Sequence, residues 1–457
     1  MAGVPRRRGE GVRPGRTSPV DRESLKARAC AAIDAAGEEI VGLGERIFRQ
    51  PELGFKEERT AALVAEAFGR LDLPFRSGLA ITGLRADLLG GTAAADAPRL
   101  AVLGELDSLV CPEHPCADPV TGAAHSCGHN AQIAAMVGVA VGLRRSGAAA
   151  ALGGHVAFLA VPAEEYVEIE YRERLRREGK VRFLGGKQEF IRLGLMDDID
   201  LAMMCHLGNR APGAKVALMG TCNGFIGKLA RFRGREAHAA GAPEAGVNAL
   251  AAANVALAAL NAQRDTFRDE DHVRVHPIIT KGGDLVNIVP ADVRLETYVR
   301  ARTVPAIMDA NVKVNRSLRA GAMALGAEVD IIELPGYLPQ IQDPALSDIF
   351  EQNAAALVGA GEVARAGHAS HSGDLGDVSH IMPVIQPSIG SVDGAFHSKD
   401  FRIMDPELAY LGAAKMMAMT AIDLLADGAD QARRIRAGFR APFTRSEYLA
   451  FWDNLLA

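Results

Sequence analysis

Short apolar runs alternating with helical stretches constrain this chain more than any other feature. Residues 100–103, 155–161 and 201–204 each read as a buried strand, and 132–143 reads as a helix between the first two. Strands separated by helices cannot close tight hairpins. They need crossover connections, which lay strands parallel and cover both faces of the sheet. The fold class predicted is therefore α/β with a mainly parallel sheet. Ligand sites in such sheets lie beyond the carboxyl ends of the strands. The polar residues there are Asp107, Glu164, Glu165 and His206.

At 457 residues the chain is longer than one domain of about 150 residues, and its grammar changes part-way. Between 216 and 334 strands are expected at 227–233, 272–280, 293–301 and 328–334, with helices at 247–263 and 304–325. That order is β-α-β-β-α-β, the split βαβ or ferredoxin-like arrangement. The expected organisation is an Arg-rich flexible tail over 1–20, a catalytic domain over 21–215, an inserted small domain over 216–334, and the rest of the catalytic domain over 335–457. A terminal helix carrying Phe451 and Trp452 closes the chain.

Charge and apolar content remove several function classes. Fifty-one Lys and Arg against 56 Asp and Glu leave a net charge of −5, so no basic field gathers nucleic acid or an acidic membrane. The longest uncharged apolar run, 133–143, has 11 residues, short of the roughly 20 that span a bilayer. Six unevenly spaced cysteines do not make a disulfide framework. With no apolar stretch after the Arg-rich start, the expectation is a cytoplasmic protein with reduced thiols and a small-molecule partner.

Four places concentrate chemistry. In His125-Ser126-Cys127-Gly128-His129-Asn130, a thiol and an imidazole two residues apart can converge on zinc or a related metal, although such a triplet also occurs without one. Glu164 and Glu165 follow an apolar strand, where one carboxylate can bind metal and the other take a proton from water. The alternative for that pair is the acidic first turn of a helix. His206 follows the strand at 201–204, and His397 sits at an apolar–polar junction. Each His alone could equally be structural or surface-placed, but one Cys, three His and a Glu pair at strand ends or loops, where such a domain places its cleft, together make a functional site the better reading.

The stretches Gly104-Glu105-Leu106-Asp107, Cys127-Gly128-His129-Asn130, Pro162-Ala163-Glu164-Glu165, Ala237-His238-Ala239-Ala240, Asn287-Ile288-Val289-Pro290 and 372–379 with His397 occur in this order. With them the chain resembles the co-catalytic metallopeptidases and amidohydrolases related to aminoacylase and glutamate carboxypeptidase. Within that family it is most similar to the branch of hippurate, indole-acetyl-amino-acid and aminobenzoyl-glutamate hydrolases. The resemblance runs from about residue 25 to 430. It implies that Cys127, His129, Glu165, His206 and His397 hold one or two divalent metal ions, zinc or manganese, and that Glu164 is the general base. It further implies that His238 steadies the oxyanion, often across a dimer contact, that Asn287 and Arg300 bind a substrate carboxylate, and that the inserted domain is a lid through which a homodimer forms.

Three departures accompany the resemblance. Asn130 stands where the branch has Asp, so an anionic partner to the metal ligands is expected to be missing. A charged segment, 168–182, is inserted between Glu165 and His206 and should form a lid or helical arm. His368 and His371 crowd the 372–379 loop. The function expected is metal-dependent cleavage of the amide C–N bond of N-acyl or N-aroyl amino acids. The alternatives are hydrolytic deamination of an activated aminoaromatic, as nitroanthranilate aminohydrolase performs, and a non-catalytic binding protein on the same fold.

Overall fold

The computed structural model describes residues 21–94, 96–210 and 214–456, so the expected tail at 1–20 lies outside the described residues. The main sheet contains β1 (Phe75–Leu79), β2 (Gly83–Leu88), β3 (Arg99–Glu105), β4 (His155–Val161) and β5 (Leu201–Met203). They run in the order β1-β2-β4-β3-β5, with Val384–Ile385 on the far edge. From β4 through β3 and β5 to that edge every pairing is parallel, and β2 and β1 extend the sheet antiparallel. Alternate residues of β3 enter two separate cores. Leu100 and Val102 join the first with helix α1 (His129–Arg145), while Ala101 and Leu103 join the second with Phe183, Phe190 and Met204. A strand buried on both faces needs apolar residues at both parities, which explains the unbroken runs in the sequence.

Helix α1 is buried all the way from His129 to Leu143, so it lacks a polar stripe. The segment Glu407–Leu425, long and apolar enough by composition to cross a membrane, is mostly buried and packs in the same core as α1.

The charged insertion forms helix α2 (Ile169–Arg177). Next come β6 (Gly224–Arg233), helix α3 (Ala249–Gln263), β7 (Arg274–Val275), β8 (Ile278–Lys281), β9 (Asp292–Ala301), helix α4 (Val304–Leu325) and β10 (Glu328–Leu334). This second sheet is antiparallel, ordered β7-β9-β6-β10 with β8 also on β9, and α3 and α4 pack on one face. The single strand anticipated at 272–280 is two short ones interrupted at His276-Pro277, where proline has no N–H to donate. Val216–Leu218 does not join this sheet. It pairs with Val363–Arg365 and with Ser388–Ile389 in a third sheet that also holds His206–Asn209, so the lid sheet starts at Gly224. Near the end of the chain, helix α5 (Arg445–Leu456) docks Tyr448 and Trp452 into the second core.

Candidate metal centre

Strand ends and one helix start build the centre. Just past β3 the chain places Asp107, fully buried, beside the turn that follows β4. Its carboxylate accepts from the Glu165 backbone N–H at 2.9 Å and lies 3.2 Å from His129 Nδ1, while its carbonyl oxygen is 2.9 Å from the same nitrogen. His129 opens α1 directly after Gly128, whose φ of +89° belongs to the left-handed region. A Cβ at Gly128 would come within 2.8 Å of the Leu207 side chain, so backbone conformation and space both require glycine. Cys127, just before it, brings Sγ to 3.4 Å from His206 Nε2. His206 Nδ1 is held by the Leu207 carbonyl at 2.6 Å. Both imidazoles are thus fixed through Nδ1, which leaves Nε2 as the ligand atom. His397 Nε2 lies 3.3 Å from Glu165 Oε1.

These residues form two donor triads, Cys127–His129–His206 and Cys127–Glu165–His397, each with its ligand atoms within 4.8 Å of one another. The thiol is common to both. Beside them Glu164 places Oε2 3.8 Å from His129 Nε2, and its backbone carbonyl accepts from the Tyr337 hydroxyl. Behind the triads Lys187 sits fully buried between the carboxylates of Glu105 and Asp374, and the second Glu105 oxygen is 3.1 Å from His129 Nε2.

Burial pushes the Cys127 thiol well above its ordinary range, and Glu165 adds to the effect. Burial also works against a charged His129, yet Glu105, Cys127 and Asp107 hold its pKa well above the usual imidazole value. Glu164 is driven up by burial and then by Glu105, Glu165 and Asp374. Glu165, though burial opposes it, is held below the usual value by His397. Crowded acidic donors and a reluctant thiol make up a centre short of positive charge. Buried His129 Nε2 and Glu165 Oε1 are aligned for no hydrogen bond with their neighbours. Thiolate, imidazole and carboxylate donors converging in this way fit divalent metal ions.

Cys127, His129, Glu164, Glu165, His206 and His397 are therefore assembled within one centre. Asn130 corrects an expectation: its amide donates to the Gly44 carbonyl and the Tyr410 hydroxyl, facing away from the donors. The anionic partner of His129 is Asp107, read from the sequence only as a polar residue at a strand end. Arg300 lies on β9 with its guanidinium over the rings of Tyr298 and Phe225, and His371 is within electrostatic reach of both Arg300 and His206. His238 and Asn287 are not brought to the triads. Both are exposed on loops of the lid sheet, and among the described residues His238 Nδ1 accepts from the nearby backbone of Ala240 and Gly241. Reading the sequence missed Lys187 and Asp374 as supports. Asp374 lay within the 372–379 stretch, whereas Lys187 stands among Gln188, Glu189 and Arg192 and carried no signal of its own.

Residues 217–316 match a peptidase dimerisation domain. The Xaa-Arg dipeptidase of Mus musculus is 31% identical over 432 residues, which cover 90% of this chain and 91% of that protein. The chain belongs to the M20 family. As an M20 protein it is a metal-dependent hydrolase whose relatives act on amide bonds. An IAA-amino acid hydrolase of Arabidopsis thaliana is 24% identical, over 79% of this chain and 74% of that protein. The crystal structure of a dinuclear metal-binding M20 peptidase from Bacillus subtilis shares the fold with a TM-score of 0.63. It is 19% identical and covers 88% of this chain and 99% of that one.

Proposed function

We propose that this M20 hydrolase cleaves the amide bond of an N-acyl or N-aroyl amino acid or a dipeptide, releasing a free α-carboxylate amino acid. The observation that carries this reading is the pair of donor triads sharing Cys127, with the carboxylate of Glu164 beside them. Cys127, His129, Glu165, His206 and His397 would hold two divalent ions, zinc or manganese. Such ions supply Lewis acidity to the scissile carbonyl and to water. Glu164 takes the proton of the attacking water and delivers it to the leaving nitrogen, while Tyr337 anchors its backbone. Arg300, a rigid fork stacked on two rings, suits a planar carboxylate.

His238 and Asn287, exposed here, would complete the site of a second subunit, with residues 224–334 as the lid and dimerisation arm. Asn130 faces Gly44 and Tyr410, so it leaves the donor set of the amide reading intact. The test is Glu164→Gln. Turnover should fall by about 10²- to 10⁴-fold with metal content unchanged, as expected when a proton acceptor is lost but no ligand. Retention of more than a tenth of the activity would reject the base. A substrate panel of N-acyl amino acids, dipeptides ending in Arg or Lys, and aminoaromatics decides the class. Ammonia release without a carboxylic acid product would favour the deaminase.

A further inference from the structure

The charged insertion between Glu165 and His206 does more than cover the cleft. Helix α2 carries Arg172, whose side chain is fully buried although the helix is otherwise rich in solvent-facing charge. Arg172 Nη1 donates to the carbonyl of Leu184 at 2.8 Å and to that of Ala163 at 3.3 Å, and the guanidinium lies 5.5 Å from the centre of the Phe55 ring. Space is made for it at Gly54, where a Cβ would fall 2.3 Å from Nη2. Among the described residues its side-chain hydrogen-bond partners are carbonyls only. Retaining a buried cation with such partners is costly, and apolar packing would fill the same volume more cheaply.

What the cation grips is unusual. Ala163 immediately precedes the Glu164–Glu165 pair and has φ of +55°, a left-handed conformation disfavoured for any residue with a Cβ. Phe55 and Glu168, on the two segments that meet there, are also left-handed, with φ of +62° and +51°. Both polar groups of Ala163 are clamped. Its N–H donates to the buried Glu57 carboxylate at 2.8 Å, and Thr82 fixes the other Glu57 oxygen at 2.6 Å. Its carbonyl receives Arg172 from one side and the Gly186 N–H at 3.3 Å from the other. Strained backbone of this kind persists only where surrounding contacts over-determine it.

We propose that Arg172, delivered by the inserted helix, is a positioning residue for Glu164 and Glu165, holding Ala163 in the left-handed turn that aims both carboxylates at the metal donors. The proposal rests on reading Glu164 as the base. It gives the insertion a direct part in amide hydrolysis, through the backbone and without touching substrate.

The test compares Arg172→Met with wild type, because methionine fills much of the volume and removes the donors. The variant should keep its melting temperature, and both proteins are assayed at saturating metal, because Glu165 is itself a ligand and its displacement weakens metal binding. Its kcat should fall by about 10- to 100-fold with KM within threefold, the scale on which a misplacement of about 1 Å acts. Combined with Ala163→Gly, which adopts the left-handed conformation without a steric cost, the loss from Arg172→Met should be markedly smaller. A kcat within threefold of wild type, or the same loss in the glycine background, overturns the proposal. Should Arg172→Met not purify folded, Arg172→Lys, which keeps the charge but loses the fork, is judged by the same kcat and glycine-background criteria. Failure of the base reading is seen separately, as activity retained in Glu164→Gln.

Discussion

Cys127 is the residue on which the centre turns, because its sulfur joins the group that holds His206 to the group that holds His397, and neither of those two histidines belongs to both. The contributions of the ligands should therefore be unequal. Cys127→Ala should lose both metal ions, whereas His206→Ala and His397→Ala should each retain about one, since removing a donor weakens only the site that it ligates. Elemental analysis after desalting measures this directly, and equal occupancy in all three variants would refute the shared thiol. Asp107 acts at the same scale. By holding His129 Nδ1 and the Glu165 N–H together, it ties ligands from two strand ends into one geometry.

At the scale of elements, helix α5 is fastened by a carboxyl rather than by apolar packing alone. The Tyr448 hydroxyl donates at 2.8 Å to Asp377, in the short helix Leu375–Ser379 whose N-cap, Asp374, pairs with Lys187. Burial, with a contribution from Asp374, pushes Asp377 up to about 7, while Tyr448, Gln188 and the Leu338 N–H act in the other direction. In the unfolded chain the same group ionises near 3.8. Between about pH 4 and 7 the folded state therefore keeps a proton that the unfolded state has released, and this group's contribution to stability falls as pH rises. Asp377→Asn removes that dependence. The stability of wild type relative to the variant, from urea unfolding at several pH values, should decline across this window and be flat above it. A difference that grows with pH would show that the group is held ionised.

For the whole molecule, the distribution of functional groups is the central fact. The candidate metal donors lie on the segments flanking the inserted domain, whereas His238 and Asn287 are exposed on its loops, and among the described residues neither belongs to a donor group. If a second subunit receives them, two inactive variants should complement each other. Mixing His238→Ala with Glu164→Gln after subunit exchange should restore up to about a quarter of wild-type activity, because half of a random mixture is heterodimer with one intact site. No recovery, with exchange demonstrated by mass, would place His238 in its own subunit's chemistry or outside the reaction.

Much of this was legible in the sequence. Doubly buried strands must be apolar at every position, so β3, β4 and β5 announce themselves, and the residues after them carry the chemistry for topological reasons. The order of elements between Gly224 and Leu334 was likewise readable, because strand and helix periods differ. Tertiary structure decided what side-chain direction decides. Asn130 follows a ligand in sequence yet points into a helix interface, since adjacent residues on a helix face different ways. Lys187 and Arg172 look like surface charges in one dimension and are buried in three, because their partners, Glu105, Asp374, Ala163 and Leu184, come from elements that only the fold brings together.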